Sequence, residues 1–283
     1  MNYRHAFHAG NFADVIKHAI LSRIICHLLN KESPFRVIDT HAGTGLYDLT
    51  SPEAVRNPEW RAGIGRLLDA TIDLPAQDLL RDYLGAVRSA NPDGKIVCYP
   101  GSPALVRGWL RRSDRLVACE LEPSAAKALS YNLRGDRRVK AIAIDGWTAL
   151  SAYIPPKERR GLVLIDPPYE QADEFSRLAA SLLGAQQKWP TGIFFAWYPI
   201  KAERDNAAFA RDLQKRGVTN MLRAELVVSP ASSDGKLRGS GHLIVNPPWT
   251  LEPDLKILLP ALAQIFAPGV KDAVRLDWMA PKT

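Results

Sequence analysis

Apolar residues at Phe12, Val15, Ile16, Ala19, Ile20, Ile24 and Leu28 recur at threes and fours, which predicts an amphipathic helix from residue 11 or 12 to residue 29. Beyond it the rhythm changes to short, mainly apolar runs at 35–39, 116–120, 139–144, 161–165 and 193–198, which read as strands. Runs of that length without polar alternation are the mark of strands covered on both faces. Helical patterns lie between or after them at 102–110, 124–133, 147–153 and 202–215, and two further strands are predicted at 221–228 and 243–245 before a closing helix at 253–266. Such alternation predicts an α/β fold with a mostly parallel sheet. The polar stretch 232–241 reads as a mobile loop.

Acids stand at or just after the ends of successive strands: Asp39, Glu120, Asp145 and Asp166. A parallel sheet brings them to its carboxyl edge, where open α/β sheets bind ligands. Asp39 runs into Thr40-His41-Ala42-Gly43-Thr44-Gly45, a Gly-x-Gly turn that lets a ligand approach backbone amides. The third small residue of a dinucleotide fingerprint is replaced by Asp48, so a cofactor without a pyrophosphate fits better than NAD. An acid at Glu120 suits the two hydroxyls of a ribose. In a simple βαβ unit it would follow the glycines by about twenty residues. Here 75 separate Gly45 from Glu120, which predicts an inserted, mostly helical subdomain over 51–99 within a single domain of 1–283. Its helical patterns lie near 60–68 and 77–87. Pro100-Gly101-Ser102-Pro103 opens the next helix, with Ser102 expected as its N-cap.

The run Gly161-Leu162-Val163-Leu164-Ile165-Asp166-Pro167-Pro168-Tyr169 carries the sharpest chemistry. Neither proline donates to a ladder, so the strand must stop there. The stiff turn then gathers the Asp166 carboxylate, the Pro167 carbonyl and the Tyr169 ring. A planar base with an exocyclic amine suits those groups, because its N–H bonds find two acceptors while its face lies on the ring; the acceptors favour the charge that develops on nitrogen during attack. Asn246-Pro247-Pro248-Trp249 repeats the pattern after a later strand, but no glycine turn or ribose acid precedes it closely, so it is expected to be an edge turn beside the base. Lys17 and His18 sit near the apolar boundary of the first helix, within reach of a carboxylate, although such a pair is more often solvated.

Composition changes this picture in two respects. The 283 residues, 46% hydrophobic and 24% charged, are ordinary for a folded α/β protein. The balance of 37 basic against 30 acidic residues gives +7 and favours a polyanionic partner. Cys26, Cys98 and Cys119 lie far apart, with no zinc-ligand spacing, and read as free buried thiols; no metal is expected. Without an apolar leader or an uninterrupted long apolar stretch, no membrane partner and a cytoplasmic location are expected.

The order of glycine turn, ribose acid, further acid and Asp-Pro-Pro-Tyr resembles the Rossmann-like class I methyltransferases that use S-adenosyl-L-methionine. More closely, the runs Tyr3-Arg-His-Ala-Phe-His-Ala-Gly-Asn, Asp14-Val-Ile-Lys-His, Asp39-Thr-His-Ala-Gly, Tyr99-Pro-Gly-Ser-Pro and Trp197-Tyr-Pro, with both Pro-Pro motifs, resemble the RlmJ family of bacterial 23S ribosomal RNA adenine-N6 methyltransferases. The resemblance spans nearly the whole chain. It implies an RNA-binding enzyme of rRNA processing that converts the adenine numbered 2030 in 23S rRNA to N6-methyladenosine, releasing S-adenosylhomocysteine. It also implies cofactor contacts at Lys17, His18, His41, Ser102, Glu120, Asp145 and Gly146, a catalytic acid at Asp166, and substrate contacts at Pro167, Tyr169 and Tyr3. A DNA-adenine or protein-glutamine methyltransferase is the alternative that shares this motif. Arg56, Arg61, Arg66, Arg81 and Arg88 of the insertion are expected to grip RNA backbone.

Overall fold

The alternation resolves, in a computed structural model that describes residues 5–201, 203–230 and 236–279, into ten strands and ten α-helices among the described residues. The chain begins with α1 (Phe12–Leu29), β1 (Arg36–Asp39) and β2 (Leu46–Asp48). The insertion follows as α2 (Pro52–Arg56), a π-type turn (Arg61–Gly65), α3 (Arg66–Asp69) and α4 (Leu74–Ser89), leading to β3 (Cys98–Pro100). Next come α5 (Ser102–Trp109), β4 (Arg115–Glu120), α6 (Pro123–Asn132), β5 (Val139–Ala143), α7 (Gly146–Ala152) and β6 (Gly161–Ile165). The remainder is α8 (Glu174–Lys188), β7 (Ile193–Ile200), α9 (Glu203–Arg216), β8 (Met221–Val227), β9 (Gly239–Val245), α10 (Leu251–Phe266) and β10 (Val274–Trp278).

Eight strands make one sheet in the order β10-β8-β9-β7-β6-β1-β4-β5, and β2 and β3 pair separately. From β7 to β5 every pairing is parallel, while β9 runs antiparallel to β7 and β8, and β10 antiparallel to β8. This is a mostly parallel Rossmann-like α/β sheet. Its strands β6, β1, β4 and β5 deliver Asp166, Asp39, Glu120 and Asp145 to one edge.

Helix α1 departs from the amphipathic expectation. Val15, Ile16, Ala19, Ile20, Leu21, Ile24 and Ile25 are each 0% exposed, and on the polar side Asp14, Lys17, His18 and Ser22 are also buried. The helix lies between β9 on one side and the π-type turn, α4, α5 and α10 on others. A helix covered all round has no solvated face to put its polar residues on.

Residues 239–241, expected in the polar loop, instead form the buried start of β9; 231–235 lie outside the described residues. The glycines explain it, since a Cβ on Gly241 would meet the Tyr198 ring at 2.1 Å and one on Gly239 the Leu226 carbonyl at 2.7 Å. Of the three cysteines only Cys119 is buried; Cys26 and Cys98 are half-buried. The apolar pattern does not mark β2, β3, β10 or α8. β2 and β3 are three residues each, β10 is a half-buried edge, and α8 buries small Ala179 and Ala185 between its leucines.

Candidate active site

Strand β6 is buried along its whole length and ends at Ile165, just ahead of Asp166 and the two prolines. Tyr169 then turns back with φ of 54°, its hydroxyl donating to the Trp197 carbonyl at 2.8 Å and its ring edge-on to Trp197 and tilted against Phe175. Asp166 is thereby held at a cavity of about 510 Å³ whose walls include Asp14, Lys17, Pro168, Tyr169, Trp197 and Lys201. Tyr3 lies outside the described residues.

Lys17 reaches this cavity from α1. Its Nζ donates to Asp14 Oδ1 at 2.8 Å and to Asp166 Oδ2. Burial alone would lower the Lys17 pKa, but the charges of Asp14 and Asp166 and the bonds to them raise it. Asp14 is held well below the usual carboxylate range: burial works against this, and His5 and Lys17 outweigh it. His5 Nε2 lies 2.9 Å from Asp14 Oδ2, which also accepts from the Gly10 amide at 2.9 Å. The solvated reading of Lys17 is therefore excluded; it is 4% exposed and fixed by two carboxylates.

His18, one position on, points elsewhere. Its Nδ1 is 2.7 Å from the Tyr99 hydroxyl, which lies 3.0 Å from that of Tyr83, and its ring is stacked on Tyr99. Its Nε2 is buried without a partner, and burial depresses its pKa to about 3.

Asp39 is fully buried and uses one oxygen, Oδ2, to accept from Ser102 Oγ at 2.6 Å; its Oδ1 has no partner. Burial raises its pKa to about 7, reinforced by the nearby Asp166 charge and opposed by the Ser102 bond. Ser102 is not the N-cap of α5. Gly101 holds that place, because the serine hydroxyl is drawn to Asp39 across 63 residues of sequence.

Gly43 and Gly45 take φ of 58° and 80°, the left-handed region that glycine tolerates. The Gly43 amide donates to Glu120 Oε2 at 2.9 Å, while Glu120 Oε1 accepts from the Glu122 amide at 2.9 Å. Asp145 is the N-cap of α7, accepting from the Thr148 amide and hydroxyl, both at 3.0 Å. Behind it, a Cβ on Gly146 would lie 2.7 Å from the His41 ring, so the missing side chain is what lets that imidazole lie there. Trp147 closes over His41 edge-on, at 5.5 Å between ring centres, and burial takes the His41 pKa down to about 4.

The parts of S-adenosylmethionine have matching places along this edge. An ammonium suits the unpartnered Asp39 oxygen, a ribose diol suits Glu120, and an uncharged adenine suits the neutral His41 over its glycine cradle. Among the described residues no cluster of three or more His, Cys, Asp or Glu converges as a metal site.

Asn246 lies at the other end of the sheet. β9 is antiparallel to β7, so Val245 pairs with Phe194 at the start of β7 and the Pro-Pro turn emerges at the amino edge. The expectation that it sits beside the base is overturned by that strand direction. Its side chain is fully used, Nδ2 donating to the Pro190 and Gly192 carbonyls at 2.8 Å and Oδ1 accepting from Asn220 at 3.1 Å. Asp14 and Trp197 line the cavity, although both stand in the runs quoted above without a role assigned from the sequence. Each had a signal, Asp14 as the i−3 neighbour of Lys17 on one helix face and Trp197 at the end of the strand beside β6.

A sequence model of the family described as "RsmJ: Ribosomal RNA large subunit methyltransferase D, RlmJ" matches residues 32–280. The chain is 38% identical, over 282 residues, to ribosomal RNA large subunit methyltransferase J of Escherichia coli (strain K12), with 100% of both chains covered. It is equally similar, 38% over 283 residues with 100% of each covered, to the protein of that name from Haemophilus influenzae. A crystal structure of a Legionella pneumophila protein superposes with a TM-score of 0.84 at 32% identity, covering 95% of this chain and 97% of that one.

Proposed function

The chain belongs to the RlmJ family of ribosomal RNA large subunit methyltransferases, and from that membership we propose that it methylates N6 of a single adenine in 23S ribosomal RNA, the one numbered 2030. It is an S-adenosylmethionine-dependent methyltransferase acting on ribosomal RNA. The observation that supports the finer reading is the meeting of Asp166, Pro168 and Tyr169 at the cavity, next to strand ends that suit the cofactor.

Asp166 Oδ1 accepts one N–H of the adenine amine and the Pro167 carbonyl accepts the other, while the base rests at the Tyr169 ring. Lys17 occupies Asp166 Oδ2 and so fixes which oxygen faces the substrate. When bound, S-adenosylmethionine supplies a methyl group activated by a sulfonium. Asp166 and the Pro167 carbonyl would hold the amine with its lone pair toward that methyl group, and the proton of the methylated amine would leave to solvent. Asp166 acts mainly by orientation and by stabilising the developing positive charge, so no strongly basic group is required. Asp39, Glu120, His41, Asp145 and Gly146 hold the cofactor, with Ser102 acting on it through Asp39; His18 supports the site from the Tyr99 side. The insertion 51–99 forms part of the single domain. The enzyme works in the cytoplasm on its RNA; no helix of the described residues is long and apolar enough to cross a membrane.

Nucleoside mass spectrometry after incubation with isotope-labelled cofactor and a 23S rRNA hairpin carrying the target adenine tests this reading. Labelled N6-methyladenosine is expected, and none when guanine replaces the target. Label on DNA adenine or on a glutamine instead would overturn it.

A further inference from the structure

The sheet has a second charged edge. β6, β1, β4 and β5 are entered at their amino ends by the segments 157–160, 31–36, 111–115 and 136–138, each of which reads basic. Together these segments hold ten Lys and Arg against four Asp and Glu, a net +6, where the whole chain carries +7. The insertion has no such excess, with six basic and seven acidic residues over 51–99. Lys31, Arg112, Arg137, Lys157 and Arg159 are exposed on this amino edge. The half-buried arginines are held in place by backbone, as where Arg111 donates to the Lys31 carbonyl at 2.8 Å and Arg160 to that of Ser33 at 2.9 Å. The field is felt nearby: burial and the charges of Arg160 and Lys31 lower the His27 pKa.

Two exposed aromatics belong to the same edge, and among the described residues they are the only aromatics that are exposed. Trp249, 81% exposed, stands beyond the end of β9 by the pocket that holds Arg160. Tyr131, 65% exposed, lies in the last turn of α6 before β5, with the Arg134 guanidinium 3.5 Å over its ring. Exposed rings within a basic strip are the arrangement that holds nucleic acid by phosphate contact and base stacking together.

We propose that this amino edge is a second RNA-docking surface, which grips backbone and an unpaired base of the ribosomal RNA substrate at a distance from the target adenine. The proposal rests on the reading of the chain as an RNA methyltransferase. The two edges are separated by at least the length of β6, roughly 17 Å at 3.3–3.4 Å per residue. An RNA occupying both must pass around the sheet, so a minimal stem-loop at the cavity leaves the amino edge empty and a longer fragment covers it. Charge favours RNA over an acidic protein as occupant, because the substrate is itself a polyanion that extends well beyond one base.

The test compares two RNAs, a minimal hairpin carrying the target adenine and a 23S fragment extended on both sides. A variant combining Lys31→Gln, Arg112→Gln, Arg137→Gln and Arg159→Gln should bind the long RNA at least about tenfold more weakly, with a log–log salt slope shallower by about 0.7–0.9 for each phosphate no longer neutralised. Its methylation of the minimal hairpin and its melting temperature should match wild type. Trp249→Ala should weaken the long RNA by about fivefold or more with the salt slope unchanged, since stacking carries no counterion release. Unaltered affinity and slope on the long RNA, or equal losses on both RNAs, would overturn the proposal. Failure of wild type to methylate the minimal hairpin would instead sink the activity reading, and the binding comparison would still decide the surface.

Discussion

Asp166 and Asn246 carry nearly the same four-residue motif and differ in strand direction, which no local pattern contains. Replacing Asp166 by alanine should abolish methyl transfer while leaving cofactor affinity within about twofold, because its contacts are with Lys17 and the proposed amine; calorimetric titration beside a methylation assay reads both. Asn246→Ala should keep the rate per folded molecule but lower stability by about 1–3 kcal/mol, the net cost of losing its hydrogen bonds to the Pro190 and Gly192 carbonyls and from Asn220, measured by denaturant melting. Asp39 makes a pH-dependent prediction. Burial raises its pKa from 3.8 to about 7, so the native state holds this proton more tightly than the unfolded chain does. The group therefore takes stability away as pH rises from about 4 to 7, the reverse of a salt-bridged carboxylate. An ammonium ligand needs the ionised form. The dissociation constant of S-adenosylmethionine should thus rise about tenfold from pH 8 to pH 6, and Asp39→Asn should flatten that profile. A flat wild-type profile would separate Asp39 from the ammonium. At this scale Asp166, Asp39 and Glu120 were legible because strand ends declare themselves. The burial of Lys17 and the true tether of Ser102 were not, since each depends on a partner 149 or 63 residues away.

At the scale of elements, the strands that build the site were the easiest to read: β6 is a continuous apolar run buried along its length, β1 and β4 have apolar centres ending in an acid, and β5, at the sheet edge, is half-exposed yet still mainly apolar. Turns between them hold the cofactor edge, and two of their contacts make a further prediction. Glu120 holds the Gly43 amide, and Gly146 leaves room for His41. Glu120→Ala should weaken cofactor binding by about 1.5–3 kcal/mol, the scale of a hydrogen bond to a charged acceptor. Gly146→Ala should weaken it as well, since the new Cβ would meet the Thr40 carbonyl at 2.3 Å and force β1's turn or α7 to move. Titration calorimetry on both variants checks this, and wild-type affinity in either would detach that turn from the cofactor. Elements at the periphery were harder. β10 presents a half-buried Val-Arg-Leu-Asp-Trp edge, and the start of β9 looks like a loop because glycine and serine are what fit beneath Tyr198.

For the whole molecule, the decisive packing is that of α1. Its apolar residues are buried on one side by β9 and on others by α4, the π-type turn, α5 and α10, so the insertion shares the main core with the sheet. A Cβ on Gly63 would lie 2.0 Å from the Gly10 carbonyl, which shows how closely the π-type turn is fitted to the segment ahead of α1. His8 adds a polar tie there, its Nδ1 3.0 Å from Glu59. The length of sequence between Gly45 and Glu120 announces an insertion, but whether an insertion stands apart or shares a core depends on which face of α1 is covered, and periodicity assigns one face to solvent. The consequence is measurable. Removing residues 51–99 and joining the ends with a short Gly-Ser link would expose the flank of α1 that carries His18 and Cys26, which meet Tyr99, Tyr83 and Asp82, at about 1.5–3 kcal/mol for each large apolar side chain returned to water. Several such losses exceed the roughly 5–15 kcal/mol that a domain commonly has. The full chain should therefore unfold in one transition, with calorimetric and van't Hoff enthalpies equal and far- and near-ultraviolet circular dichroism coincident. The shortened chain should lose its near-ultraviolet signal and aggregate. Two separated transitions in the full chain, or a folded and soluble shortened form, would mean that the insertion is an independent unit and that the sheet supports α1 without it.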